Sequence, residues 1–65
     1  MAKFTMDIEC DNAAFCDDDG DFDPNEELSR IIGYVKCKIN DGHWLGNCYD
    51  TNGNKVGRWE ISDER

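Results

Sequence analysis

Sixty-five residues make a single domain, residues 1–65, near the lower size limit for a hydrophobic core held without staples. With 38% apolar residues and seven aromatics the chain is not composed like a disordered protein, yet it is too short for a deep cofactor pocket, which argues against an enzyme. The formal charge of −8 is an N-terminal property: residues 1–27 carry ten acids against Lys3 alone, and residues 28–65 carry five acids against six bases (Arg30, Lys36, Lys38, Lys55, Arg58, Arg65). A one-signed field of that kind steers association with a basic partner.

From Lys3 to Cys10, Phe4, Met6, Ile8 and Cys10 alternate with Lys3, Thr5, Asp7 and Glu9. That period of two predicts a half-buried strand with an acidic outer face. Residues 11–23 follow as an acidic loop of Asp, Asn and Gly, with Phe15 and Phe22 as expected anchors to the core. At the end of this loop Asp23-Pro24-Asn25-Glu26 predict a helix start, with Asp23 as N-cap, Pro24 at the first helical position and Glu26 completing a capping box. Leu28, Ile31, Ile32, Val35 and Ile39 form one apolar stripe, and Gly42 is the expected stop. Within the helix Gly33 costs about 1 kcal/mol relative to Ala, and is read as a candidate close contact.

Asn52-Gly53 predicts a hairpin with a type I′ turn. Centring it there pairs Tyr49 with Val56, Cys48 with Gly57 and Gly46 with Trp59. One face then holds Trp44, Cys48, Trp59 and Ile61, the expected core, with glycines making room for the indoles. The other holds Leu45, Asn47, Tyr49, Val56, Arg58 and Glu60, and a one-residue register slip would exchange the faces. The order β-α-β-β predicts an α+β fold, one helix packed on a three-stranded sheet. An antiparallel sheet with the first strand beside the last is favoured; a parallel pairing of the first two strands through a right-handed crossover is the alternative. In either case Asp7 and Glu9 face away from the helix, and the acids are expected to form one continuous surface.

No apolar run approaches a membrane span, and the opening Met-Ala-Lys-Phe-Thr-Met-Asp lacks the apolar segment of a secretory signal. The expected compartment is the cytosol, where four cysteines read first as reduced thiols. Cys10 and Cys48 are expected to be buried and Cys37 exposed. Metals and cofactors are not expected. If Gly20 is set at the sixth position of a calcium loop, Phe15 falls at the first ligand position and Glu26 at the twelfth, and Phe15 cannot ligate. The cysteines form no C-x₂-C knuckle for zinc, and the helical phase turns Cys37 away from Cys10 and Cys48. His43, the one histidine, has no nucleophile that sequence places beside it, and clustered acids without an apolar pocket lack the separated pKa values of acid–base catalysis. Direct nucleic-acid binding needs clustered Lys and Arg, whereas this acidic half repels phosphate.

The remaining reading is imitation of nucleic acid. Ten carboxylates over 21 residues approach the charge density of a duplex, about one per 1.7 Å of axis. The predicted partner-binding residues are Asp7, Glu9, Asp11, Asp17, Asp18, Asp19, Asp21, Asp23, Glu26 and Glu27, chosen by charge clustering alone. Asp23 and Glu26 carry a competing role as helix caps, and charge reversal at Asp17–Asp19 is the expected clean test.

The run Phe4-Thr5-Met6-Asp7-Ile8-Glu9-Cys10-Asp11-Asn12-Ala13-Ala14-Phe15, followed by an acidic loop and a short helix, resembles small phage- and prophage-encoded proteins. Their second half has a hairpin like Leu45 through Ile61, with Tyr49-Asp50-Thr51-Asn52-Gly53-Asn54-Lys55-Val56-Gly57, so the resemblance covers nearly the whole chain. In size and acidity the chain also looks like anti-CRISPR proteins, in particular inhibitors of multi-subunit type I systems, several of which work as DNA mimics. The resemblance implies a monomeric phage-encoded inhibitor in the bacterial cytoplasm that blocks target-DNA binding by covering the basic DNA-binding surface of a CRISPR effector subunit. Three alternatives stay open: a phage module inhibiting another host DNA-binding enzyme such as a restriction nuclease, a metal-stabilised structural domain, and contact or homodimerisation through the sheet face of Leu45, Tyr49 and Val56.

Overall fold

A computed structural model describes residues 1–63, so Arg65, one of the six bases counted above, lies outside the described residues. Strand β1 (Ala2–Ile8) leads through a 3-10 turn (Ala13–Phe15) and the acidic loop into helix α1 (Asn25–Asn40), then strands β2 (Leu45–Tyr49) and β3 (Lys55–Asp63). All pairs are antiparallel and the sheet order is β1-β3-β2, so the first strand does lie beside the last. The right-handed crossover alternative is excluded. No described helix is long and apolar enough to cross a membrane.

The core consists of Phe15, Ile31, Val35, Cys48, Val56 and Trp59, with Met6, Ile8, Cys10, Leu28 and Ile61 packed against it. Helix α1 lies over β2 and the 3-10 turn. Its expected stripe is therefore split: Ile31 and Val35 are buried, but Ile32 is 53% exposed because it faces the β1 side, which the helix leaves open. Gly42 ends the helix at φ +94°, as expected, while Gly33 has open space where a Cβ would stand and marks no close contact.

The helix start differs from expectation. Pro24, not Asp23, is the N-cap residue and no side chain caps the helix. Asp23 is drawn away because its N–H donates to the Phe15 carbonyl (2.8 Å), tying the end of the acidic loop to the core. Glu26 is left pointing to solvent, and no capping box forms.

The hairpin keeps the expected pairs Cys48–Gly57 and Gly46–Trp59 but not Tyr49–Val56, since Tyr49 pairs with Lys55. The turn is not type I′: Asn52 keeps a negative φ and only Gly53 is left-handed (φ +85°). Asp50 N–H donates to the Asn54 carbonyl (2.9 Å) and Gly53 N–H to the Asp50 carbonyl (3.1 Å), which closes a three-residue loop ending in a left-handed glycine. The odd residue is absorbed as a bulge, with Val56 the unpaired extra residue, and it turns inward to join the core rather than lying on the outer face.

Of the two indoles only that of Trp59 is buried in the core. Its indole lies over Gly46, where an added Cβ would come 2.8 Å from Nε1. Trp44, expected inside, is 53% exposed, and so is Phe22, at 66%; Phe15 is the loop's single anchor. Gly57 makes room not for an indole but for the β1 backbone, since a Cβ there would meet the Asp7 carbonyl. All four cysteines are free: Cys48 buried, Cys37 exposed, and Cys10 and Cys16 half-buried, so Cys10 meets its expectation only in part. Burial pushes the Cys48 thiol pKa up.

Candidate partner-binding surface

Asn12 starts the acidic segment by accepting the Ala14 N–H (2.9 Å), which caps the 3-10 turn and drives Phe15 into the core. The chain then folds back on itself through a bridge between Cys16 and Phe22. Asp17 N–H donates to the Asp21 carbonyl (2.8 Å) and Gly20 N–H to the Asp17 carbonyl (3.0 Å), with Gly20 at φ +84° making the turn. Asp17 Oδ1 accepts the N–H groups of both Asp19 and Asp21, each at 2.9 Å. The loop is a small closed hairpin whose tip carries Asp18, Asp19 and Asp21, all exposed. Asp17 is thus part of the loop's frame, and a reversal that includes it perturbs shape as well as charge. Asp18, Asp19 and Asp21 are the cleaner set.

Beside this tip, an open cleft of about 500 Å³ is lined by Asp17, Asp18, Asp23, Glu26, Glu27 and Arg30, among others. Glu27 corrects the sequence reading, because it is only 7% exposed. Its Oε1 accepts from Arg30 Nε (2.6 Å) and its Oε2 from the Thr51 N–H (2.8 Å). The Arg30 hydrogen bond outweighs burial and holds the Glu27 carboxyl below the usual range. Glu27 is therefore a clamp between helix and hairpin turn rather than an exposed acid. The Arg30 pKa is raised, chiefly by the same bond, and its second arm donates to the Tyr49 carbonyl (3.0 Å).

Asp50 was not singled out by sequence reasoning and is buried at 4% exposure. Its carboxylate accepts the N–H groups of Asn52 and Asn54 (2.9 and 2.8 Å), Asn54 Nδ2 (3.2 Å) and Asn12 Nδ2 (2.7 Å). Burial pushes its pKa up, but these bonds more than offset it and the net direction is down. The Asn12 bond joins the hairpin turn to the start of the acidic loop. The available signal was an Asp at the first position of a turn, a preferred place that says nothing about a partner 38 residues away.

Asp7 and Glu9 are exposed but do not line the acidic cleft. They border a separate hollow with Lys55 and Arg58, and Asp7 stands opposite Arg58 in the sheet register. Arg58 pairs with Glu60 (3.5 Å), and Lys55 and Arg58 stand beside the two acids, so the expected single continuous surface resolves into a strand face of mixed charge and a concentrated loop-and-helix face. Asp11 is exposed between them. Among the described residues, no group of three or more His, Cys, Asp and Glu side chains is placed to hold a metal ion. Comparisons with protein-family models, curated proteins and solved structures give no match.

Proposed function

We propose that this chain is a small acidic inhibitor that occupies a phosphate-binding cleft of a DNA-binding protein, with a type I CRISPR effector complex as the target and target-DNA binding as the step blocked. One observation carries the reading. Asp18, Asp19, Asp21, Asp23 and Glu26 are exposed on a hydrogen-bonded frame, and Arg30, the base lining their cleft, is already engaged by Glu27 and the Tyr49 carbonyl. With the loop backbone already closed, these uncompensated carboxylates lose only side-chain freedom on meeting a basic cleft, which favours affinity, and their field speeds encounter. Phosphates present the same kind of array to the same lysines and arginines. The choice of a CRISPR effector comes from the resemblance to phage proteins and anti-CRISPR inhibitors.

The test is reversal of Asp18, Asp19 and Asp21 to Lys in one chain, followed by binding to purified effector complexes. Binding is expected to fall by an order of magnitude or more, with the thermal midpoint unchanged or higher as repulsion is relieved. Undiminished binding by the folded triple variant would overturn the reading.

A further inference from the structure

We infer that β1 is the seam of a symmetric homodimer, in which two copies pair their β1 edges antiparallel about Thr5 and place Lys3 of each protomer opposite Asp7 of its partner. The inference goes beyond the mimicry reading and does not depend on it.

β1 is an edge strand, since only β3 pairs with it. Glu9 N–H donates to the Val56 carbonyl (2.7 Å), continuing the β1–β3 register by one residue. Direction alternates along an antiparallel strand, so Lys3, Thr5 and Asp7 also bond toward β3. The N–H and C=O groups of Ala2, Phe4, Met6 and Ile8 consequently point outward from the sheet, the Ile8 carbonyl meeting only a long Cys10 Sγ contact at 3.7 Å. This edge is seven residues long and carries no proline, and the register bulge falls in the other half of the sheet. Of the usual devices that keep edges apart it has only charge, and its two charges, Lys3 and Asp7, are of opposite sign.

The outward groups restrict the register. Pairing about Thr5 sets Phe4 against Met6 and Ala2 against Ile8 as hydrogen-bonded pairs, with every outward group of the strand matched. Lys3 and Asp7 then fall in the closer, non-hydrogen-bonded pairs, where opposite charges interact best. Lys3 is the only base among residues 1–27, and this register puts it twice against an acid.

Apolar surface argues for the same seam. The helix leaves a groove of about 410 Å³ beside β1, lined by Phe4, Met6, Ile32, Val35 and Ile39 with the stems of two polar residues. Phe4 is 50% and Ile39 38% exposed in the single chain. A twofold axis perpendicular to the sheet keeps both helices on one face and brings the two grooves together across the seam. Charge does not forbid it, because the strands run in opposite directions and carry the acidic loops to opposite ends. The two Glu9 residues stand eight strand positions apart, about 26 Å, several times the Debye length of about 8 Å at physiological salt.

Sedimentation equilibrium of the full chain over a wide concentration range tests the seam, with circular dichroism melts to check folding. A monomer–dimer equilibrium is expected. Lys3→Asp and Asp7→Lys, each placing like charges opposite one another twice, should each weaken the dimer about tenfold or more. Together in one chain they restore opposite charges and should recover it. Lys3 faces Ser62 in its own sheet and makes no ion pair among the described residues, so Lys3→Asp is the safer single reversal should Asp7→Lys fail to fold. A wild-type chain that stays monomeric throughout overturns the inference, and so does a dimer indifferent to both single reversals.

Discussion

Glu26 and Glu27 are adjacent acids that composition treats alike and the fold does not. Glu27→Ala removes two hydrogen bonds to a charged group, each worth about 1.5–3 kcal/mol. Arg30 is 47% exposed and regains water, which returns part of that loss. A net cost of about 2–3 kcal/mol follows. A domain of this length holds roughly 3–10 kcal/mol in total, so the variant should melt about 10–20 °C lower. Glu27→Gln keeps the shape and an acceptor for Thr51 and should cost about 1 kcal/mol. Glu26→Ala, in solvent, should stay within about 0.5 kcal/mol of the parent. Thermal and urea melts of the three variants side by side give the comparison. If Glu27→Ala melted with the parent, or Glu26→Ala fell as far as it, the inward clamp would be wrong.

The lowered Glu27 pKa gives this contribution a pH dependence. A carboxyl held below its unfolded value stabilises fully above the unfolded range, near about 4.3, and the stabilisation is lost as pH falls through the folded value. The stability gap between the parent and Glu27→Gln should therefore be widest at neutral pH and close in acid. Asp50 has the same sign, and Asp50→Ala should lower the melting midpoint and speed amide exchange at Asn52 and Asn54, whose N–H groups lose their acceptor. Gly57→Ala forces a methyl onto the Asp7 carbonyl and should destabilise by at least about 1–3 kcal/mol, in contrast to Gly33→Ala, where the space is open and helix propensity predicts a gain of up to about 1 kcal/mol. With iodoacetamide under native conditions, mass spectrometry should find Cys37 modified quickly and Cys48 protected until unfolding.

Much of the fold was legible because it is written in local periods. The alternation from Phe4 to Ile8 gave β1, the three- and four-residue spacing gave α1, and Asn52-Gly53 located the hairpin and its central register. What failed depended on distant neighbours. Ile32 belongs to the apolar stripe by phase, but its exposure depends on where the helix lies over a sheet only three strands wide. Trp44 and Trp59 share a face by parity, yet only one indole has room over Gly46. Asp23 has the chemistry of a cap but is held by Phe15, and Val56 turns inward through a bulge that no pair rule announces.

The acidic surface was legible as charge and illegible as geometry. Helical phase sets Glu27 on the stripe of Ile31 and Val35 and three residues before Arg30, but its second partner, the Thr51 N–H, is 24 residues away and has no local signal. Asp7 and Glu9 are placed beside Lys55 and Arg58 by the pairing of the first strand with the last. The exposed acidic field is correspondingly narrower than the sequence count of ten, and centres on the loop tip and the start of the helix.

The decisive measurement is target-DNA binding by purified type I effector complexes, with and without this protein, across a salt series. Mimicry predicts competitive loss of DNA binding that fades as salt rises and is abolished in the Asp18, Asp19, Asp21 reversal. Inhibition that is indifferent to salt and to that reversal, or no inhibition of any type I complex, would contradict it.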